Sequence, residues 1–276
     1  MAIGLIIIGD EILSGRRIDK HFPKVLEMLT VRGLTLSWAE YLGDEPARII
    51  ATLKRTFSSN DIVFCTGGIG ATPDDHTRQS VAAALGLPLL LHSHAREQIR
   101  ERIADTAREI GVEPDYETTD NLHRLTMGEF PQGAEIIPNP FNKIPGFSVR
   151  NALNASDQAQ GIHYFTPGFP VMAWPMFEWV LDTHHADLFH QNPQLEQSVL
   201  VYGSMESALT PLMEAIESEF SLVKVFSLPH VGDAQTQRHI DLGVKGEPAQ
   251  STSAFIKLLA GLDALQVVYR PVHATN

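Results

Sequence analysis

A single cysteine, Cys65, stands among 276 residues, so no disulfide can close within the chain, which fits a reducing compartment. Long apolar runs are missing as well. The segment Ile3 to Ile8 is far too short to span a bilayer and leads at once into Asp10 and Glu11. Met1 is followed by no charged, apolar and small-residue leader, so the expectation is a cytoplasmic protein with no membrane partner. Positive charge is scarce: 21 Lys and Arg stand against 33 Asp and Glu, a formal net charge of −12. Such a surface repels DNA and RNA phosphates, and a nucleic-acid grip would need a local basic stripe. None is visible. The densest basic group, Arg96, Arg100, Arg102 and Arg108, alternates with Glu97, Glu101, Asp105 and Glu109, as on a solvated helix face. Nucleic acid is therefore not an expected partner. A small anion is not excluded, because backbone amides or a metal ion can supply the positive field locally.

What is present is an alternation of buried strands and amphipathic helices. Residues 3–8 are a continuous apolar run, as a strand covered on both faces requires. Ile18, Phe22, Val25, Leu26 and Leu29 then share a helical face, with Asp19 as N-cap and Gly33 as terminator. Residues 34–41 read as a strand, Asp44 caps a second helix with Pro46 near its start, and 61–65 form another buried strand. After the loop Thr66-Gly67-Gly68-Ile69-Gly70, Asp74 or Asp75 caps a helix ending near Gly86. This order predicts an α/β fold with a doubly wound, mostly parallel sheet. Helices are expected at 94–110, 118–127 and 171–183, strands at 134–137 and 162–166, and a polar loop from Asn151 to Gly161.

Beyond residue 190 the pattern changes to strand 198–202, helix 206–219, strands 222–227 and 236–244, helix 248–260 and strand 264–269. That βαββαβ order is the ferredoxin-like plan. The expected organisation is an α/β domain over 1–183, a linker over 184–196 and a small α+β domain over 197–276. His184, His185 and His190 in this linker, and the pair His92 and His94, are expected to be exposed loop residues rather than metal ligands, since no cysteine accompanies them. Cys65 is expected to pack, not to react.

The glycine loop carries the chemistry. A loop at the carboxyl end of a buried parallel strand is where open α/β sheets bind ligands. Gly67, Gly68 and Gly70 let the backbone turn its N–H groups toward phosphate oxygens, with Thr66 and Thr77 at the loop's ends. Two aspartates behind the loop would repel a bare phosphate unless a divalent cation stood between them. Mg²⁺ is bound in that way, by one or two carboxylates plus substrate phosphate. Asp74 and Asp75 are therefore expected as metal or water ligands. Asp10, at the end of the first strand, could face the same crevice, and Asp19 is read either as a ligand there or as an N-cap alone.

Together, Gly9-Asp10-Glu11-Ile12-Leu13-Ser14-Gly15 with Asp19, and Thr66 through Thr77, resemble the molybdopterin-binding (molybdenum cofactor biosynthesis) domain. Within that superfamily they are similar to the competence/damage-inducible protein A group, whose loop has Asp-Asp. Asn139 with Pro145-Gly146, and Pro167-Gly168-Phe169-Pro170, resemble two later motifs of the group, and the likeness spans roughly 1–183. Gly203 to Ser207 resembles the start of the small domain that follows; the amidase-type domain of fuller members is not expected here. The resemblance implies a Mg²⁺-dependent reaction at a phosphoanhydride, on a nucleotide or pterin. In the bacterial group this is hydrolysis of ADP-ribose-like pyrophosphates; the alternatives are molybdopterin adenylyl transfer and ligand binding without catalysis. Asp10, Asp74 and Asp75 would be catalytic, Asp10, Asp19, Asp74 and Asp75 would hold metal, and Thr66, Gly67, Gly68, Gly70, Thr77 and Asn139 would bind ligand. A homo-oligomer is also implied. The chain departs from the group at His21, where Asn is usual, at Ala71, at Asn142, and at Val171-Met172, where Ser-Glu is usual.

Overall fold

The computed structural model describes residues 1–150, 161–232 and 236–272. The chain divides into two units, Met1–Phe189 and His190–Asn276.

In the first unit the elements are β1 (Ile3–Ile8), α1 (Asp10–Leu13), α2 (His21–Val31), β2 (Trp38–Leu42), α3 (Pro46–Phe57), β3 (Ile62–Thr66) and α4 (Thr77–Leu85). They are followed by β4 (Leu89–Leu91), α5 (Ser93–Glu109), α6 (Thr119–Leu125), β5 (Glu129–Pro131), β6 (Glu135–Ile137), β7 (Gly146–Arg150), β8 (Ile162–Thr166) and α7 (Pro170–His184). Six strands form one sheet in the order β2-β1-β3-β8-β7-β6. The first four run parallel, while β7 and β6 pair antiparallel. The continuous apolar strands are explained by what covers each face. Ile3, Leu5 and Ile7 of β1 pack with Val25, Met28 and Phe177 of α2 and α7. Ile6 and Ile8 pack with Ile49, Leu53 and Val81 of α3 and α4 on the other side. Because side chains alternate along a strand, a strand covered by helices on both faces must be apolar at every position.

The doubly wound sheet agrees with the sequence reading; several boundaries do not. The N-cap of α2 is Lys20, one residue later than expected, and Asp19 before it accepts from the N–H groups of His21 (2.7 Å) and Phe22 (3.1 Å). Ile18 therefore lies outside the helix and is exposed. Asp44 does not cap α3, whose N-cap is Glu45, and neither Asp74 nor Asp75 caps α4. Strands β4, β5 and β7 were not expected from the sequence. Positions 151–160 of the expected polar loop lie outside the described residues. The linker expected over 184–196 is taken up at both ends. His185 is buried, its Nε2 lies 2.9 Å from the Tyr164 hydroxyl, and Leu188 and Phe189 pack on the first core. Its expected exposure was wrong because the chain folds back beyond α7 onto the sheet.

The second unit holds β9 (Leu195–Tyr202), α8 (Glu206–Glu219), β10 (Val223–His230), β11 (His239–Gly246), α9 (Pro248–Ala264) and β12 (Val268–Pro271). Its antiparallel sheet has the order β10-β11-β9-β12, as the ferredoxin-like plan requires. Leu209 and Ile216 of α8 and Ala254, Leu258 and Leu262 of α9 cover one face. No helix among the described residues is long and apolar enough to cross a membrane.

One core polar group gives the first unit a pH dependence. His163 of β8 is fully buried, its Nε2 lies 2.8 Å from the Thr56 hydroxyl, and its Nδ1 has no partner among the described residues. Burial lowers its pKa from 6.5 to about 3. The unfolded chain thus binds the extra proton first, so stability falls as pH drops through 6.5 and keeps falling toward 3. We expect urea unfolding to show a loss of about 2 kcal/mol between pH 7.5 and pH 5 from this residue. His163→Gln should reduce that slope by this amount and leave the share of His185, whose pKa burial lowers to about 4; an unchanged slope would assign it elsewhere.

Candidate functional site

The carboxyl ends of β1, β3 and β8 converge on the glycine loop. Gly67 and Gly68 have φ of 102° and 67°, values that favour glycine. A Cβ on Gly67 would lie 2.0 Å from the Ile8 carbonyl oxygen. The Gly67 N–H donates to Thr166 O (3.0 Å), tying the loop to β8. Its carbonyls are turned away and satisfied: the Thr77 hydroxyl donates to Gly67 O (3.0 Å), the Thr77 N–H to Gly68 O (2.9 Å), and Arg78 Nη2 to Gly70 O (2.7 Å). The N–H groups of Gly68, Ile69 and Gly70 find no acceptor among the described residues. These three residues line a pocket of about 550 Å³. Uncommitted amides on such a loop are suited to an anion.

Behind the loop is a residue that sequence reasoning missed. Arg78 is 2% exposed, and besides Gly70 O its guanidinium donates to the carbonyls of Thr126 and Glu129. Among the described residues it forms no ion pair; burial lowers its pKa, opposed by the charges of Glu129 and Asp75. An arginine remains charged in spite of this. The loop therefore rests on a buried cation. Its signal was in the sequence: Arg78, Val81, Ala82 and Leu85 share one helical face, which α4 buries.

The carboxylates are arranged differently from the expectation. Glu11, Asp44, Asp74 and Asp75 line the pocket, whereas Asp10 and Asp19 do not. Asp10 faces Asp44 in a reciprocal pair. Its N–H donates to Asp44 Oδ2 (2.9 Å), and its Oδ1 accepts from the Asp44 N–H (3.2 Å). Asp19 is occupied by the N–H groups of His21 and Phe22 and by the Tyr41 hydroxyl (2.8 Å). Of the four acids expected at a cation, Asp74 and Asp75 line the pocket, while Asp10 and Asp19 stand outside its lining. Asp44 takes their place. It follows β2 as Asp10 follows β1, and that placement at a strand's carboxyl end was the available signal. Burial raises the Asp44 pKa; the bond from the Asp10 N–H opposes this, and the charges of Asp10, Glu11 and Asp74 add to the rise. Asp75 is held by the N–H (2.8 Å) and hydroxyl of Thr72, both donating to Oδ2.

Three other expected ligand residues serve the scaffold. Thr77 is fully buried with its hydroxyl on Gly67 O. Thr66 donates its hydroxyl to Pro167 O (2.8 Å). Asn139 is buried outside the pocket, and its amide bridges Asn142 Oδ1 (2.8 Å) and Ile144 O (2.9 Å), shaping the turn that brings Asn142, Ile144 and Pro145 to the pocket wall. Cys65 is buried in β3, and burial raises its thiol pKa, so it packs as expected.

Among the described residues no three acidic, histidine or cysteine side chains are close enough to cage a metal.

The family described as "Probable molybdopterin binding domain" matches residues 4–187. The chain belongs to this family. A CinA-like protein of Anaeromyxobacter sp. (strain Fw109-5) is 34% identical over 148 residues, which are 54% of this chain and 34% of the relative. A protein of Caldivirga maquilingensis is 32% identical over 235 residues, covering 82% of this chain and 80% of that one. The matches to the Anaeromyxobacter CinA-like proteins take in between 34% and 40% of their length. The solved structure of the protein CinA from Thermoplasma acidophilum, at 21% identity and a TM-score of 0.53, shares the fold over 66% of this chain and 98% of its own. In this molybdopterin-binding domain the matched residues contain the whole of the glycine-loop pocket.

Proposed function

We propose that the pocket hydrolyses the phosphoanhydride of a nucleotide such as ADP-ribose, with Mg²⁺ accompanying the substrate. The observation that carries this reading is the set of free N–H groups on Gly68, Ile69 and Gly70 above the buried Arg78, facing a wall of carboxylates. The amides and the Arg78 charge bind the phosphate oxygens. Asp74 and Asp44 would hold the cation together with phosphate oxygens and water, and Asp10 keeps Asp44 in place through their reciprocal hydrogen bonds. When bound, the cation would neutralise phosphate charge and favour in-line attack. Asp75, fixed by Thr72, orients the attacking water and takes its proton. The new bond joins water oxygen to phosphorus, the anhydride P–O bond breaks, and two phosphate monoesters leave. Assembly of several copies of the chain, implied by the likeness in sequence, belongs to the same reading.

Purified protein incubated with Mg²⁺ and ADP-ribose or FAD should release mononucleotides. Asp75→Ala should lower kcat by at least about 100-fold, the usual size of a lost proton acceptor. No turnover, or turnover indifferent to Asp75→Ala, overturns the proposal.

A further inference from the structure

Beside the glycine-loop pocket lies a second one, about 460 Å³, and the two share Ile8, Glu11, Arg17 and Gly168 as common wall. Their chemistry differs. The first is lined by Asp44, Asp74 and Asp75 besides the shared Glu11 and Arg17; the second adds Arg16, Lys20 and His21 to that shared pair, so Glu11 is the one carboxylate among three cations. In a chain of net charge −12 this is a local reversal of sign. Among the described residues none of the three cations has a carboxylate at ion-pair distance, whereas Lys24 of α2 and Arg32 at its end both do. The Arg17 guanidinium stands 5.6 Å from the centre of the Phe169 ring, at the boundary between the two pockets.

His21 supplies a second, independent sign of a ligand. It is 4% exposed, and its Nε2 lies 3.0 Å from Gly168 O. A carbonyl oxygen only accepts, so Nε2 carries the hydrogen and Nδ1 is left with a lone pair. Among the described residues that Nδ1 has no partner. Burial lowers the His21 pKa, which keeps the ring neutral and Nδ1 an acceptor. Buried acceptors without a donor are uncommon and costly, and a ligand hydroxyl would satisfy this one.

We propose that the second pocket is a subsite for a phosphorylated sugar on the same ligand: its phosphomonoester meets Arg16, Arg17 and Lys20, and a sugar hydroxyl donates to His21. This rests on the reading of the glycine-loop pocket as the seat of the anhydride, and adds that the substrate carries a further phosphate on the half that crosses Arg17. Ligands differing by one phosphomonoester should then be separated by this protein. With Ca²⁺ in place of Mg²⁺, calorimetry should show 2′-phospho-ADP-ribose binding at least about tenfold tighter than ADP-ribose, and CoA tighter than dephospho-CoA, as expected for charge-assisted hydrogen bonds. The double variant Arg16→Ala/Lys20→Ala, at exposed positions, should erase that preference and leave the affinity for ADP-ribose within twofold. His21→Phe should weaken both members of a pair alike. Equal affinities in the wild type, or a preference that survives in the double variant, overturns the subsite. Hydrolysis without preference removes the subsite alone; preference without hydrolysis removes the pyrophosphatase reading alone; binding of neither member removes both.

Discussion

Arg78→Met is expected to abolish anion binding at the glycine loop and to destabilise the first unit by about 3 kcal/mol, the order expected when buried carbonyls lose a charged donor. Methionine fills much of the same space, so the effect isolates the guanidinium. Three carbonyls, those of Gly70, Thr126 and Glu129, lose their donor together. The Gly70 carbonyl is then free to rotate toward the pocket, and with it the amides that should meet phosphate. Arg78→Lys keeps the charge but cannot span three acceptors with one ammonium, so it should recover stability only in part and affinity even less. Urea unfolding and ADP-ribose calorimetry on the two variants read these terms separately. Wild-type affinity in a folded Arg78→Met protein would show that the loop needs no buried cation.

Gly67→Ala should be as severe, for a reason that involves no charge. The added methyl meets backbone at 2.0 Å, the Ile8 carbonyl at the end of β1, at a φ that other residues rarely adopt. Neither strand can retreat, because β1 and β3 are paired in the middle of the sheet. Strain at φ and overpacking together amount to about 4 kcal/mol. Gly70→Ala provides the contrast. Its φ is not in the left-handed region, and its methyl would meet the Asp75 carboxylate at 2.5 Å. A side chain can move, so that variant should fold near wild-type stability yet lose activity by displacing Asp75. Thermal unfolding of the two alanine variants distinguishes the cases: equal losses of stability would mean the loop is not pinned by β1.

These two residues mark the boundary of what the chain's letters reveal. Gly67 was legible because a strand followed by glycines states its own backbone demand. Arg78 was passed over because a charged residue on a helix is read as solvated unless its apolar neighbours at three, four and seven residues are counted with it. Asp44 was assigned to a cap for a similar reason. Local spacing makes Asp before Pro look like a helix start, and only the pairing of β2 beside β1 puts its carboxylate against Asp10. The histidine at 185 shows the same limit, since nothing in its neighbours announces that Tyr164 will receive it.

The sequence by itself determined the two-part architecture, the doubly wound sheet, the ferredoxin-like order of the second unit and the glycine loop, because each is written in periodicity or in backbone demand between near neighbours. Tertiary structure alone decided which acids face the pocket, which glycine-loop amides stay free, that a buried arginine supports them, and that a basic pocket adjoins. Those facts depend on strands and loops far apart in the chain meeting at the carboxyl edge of one sheet, where each side chain's direction is set by what it packs against.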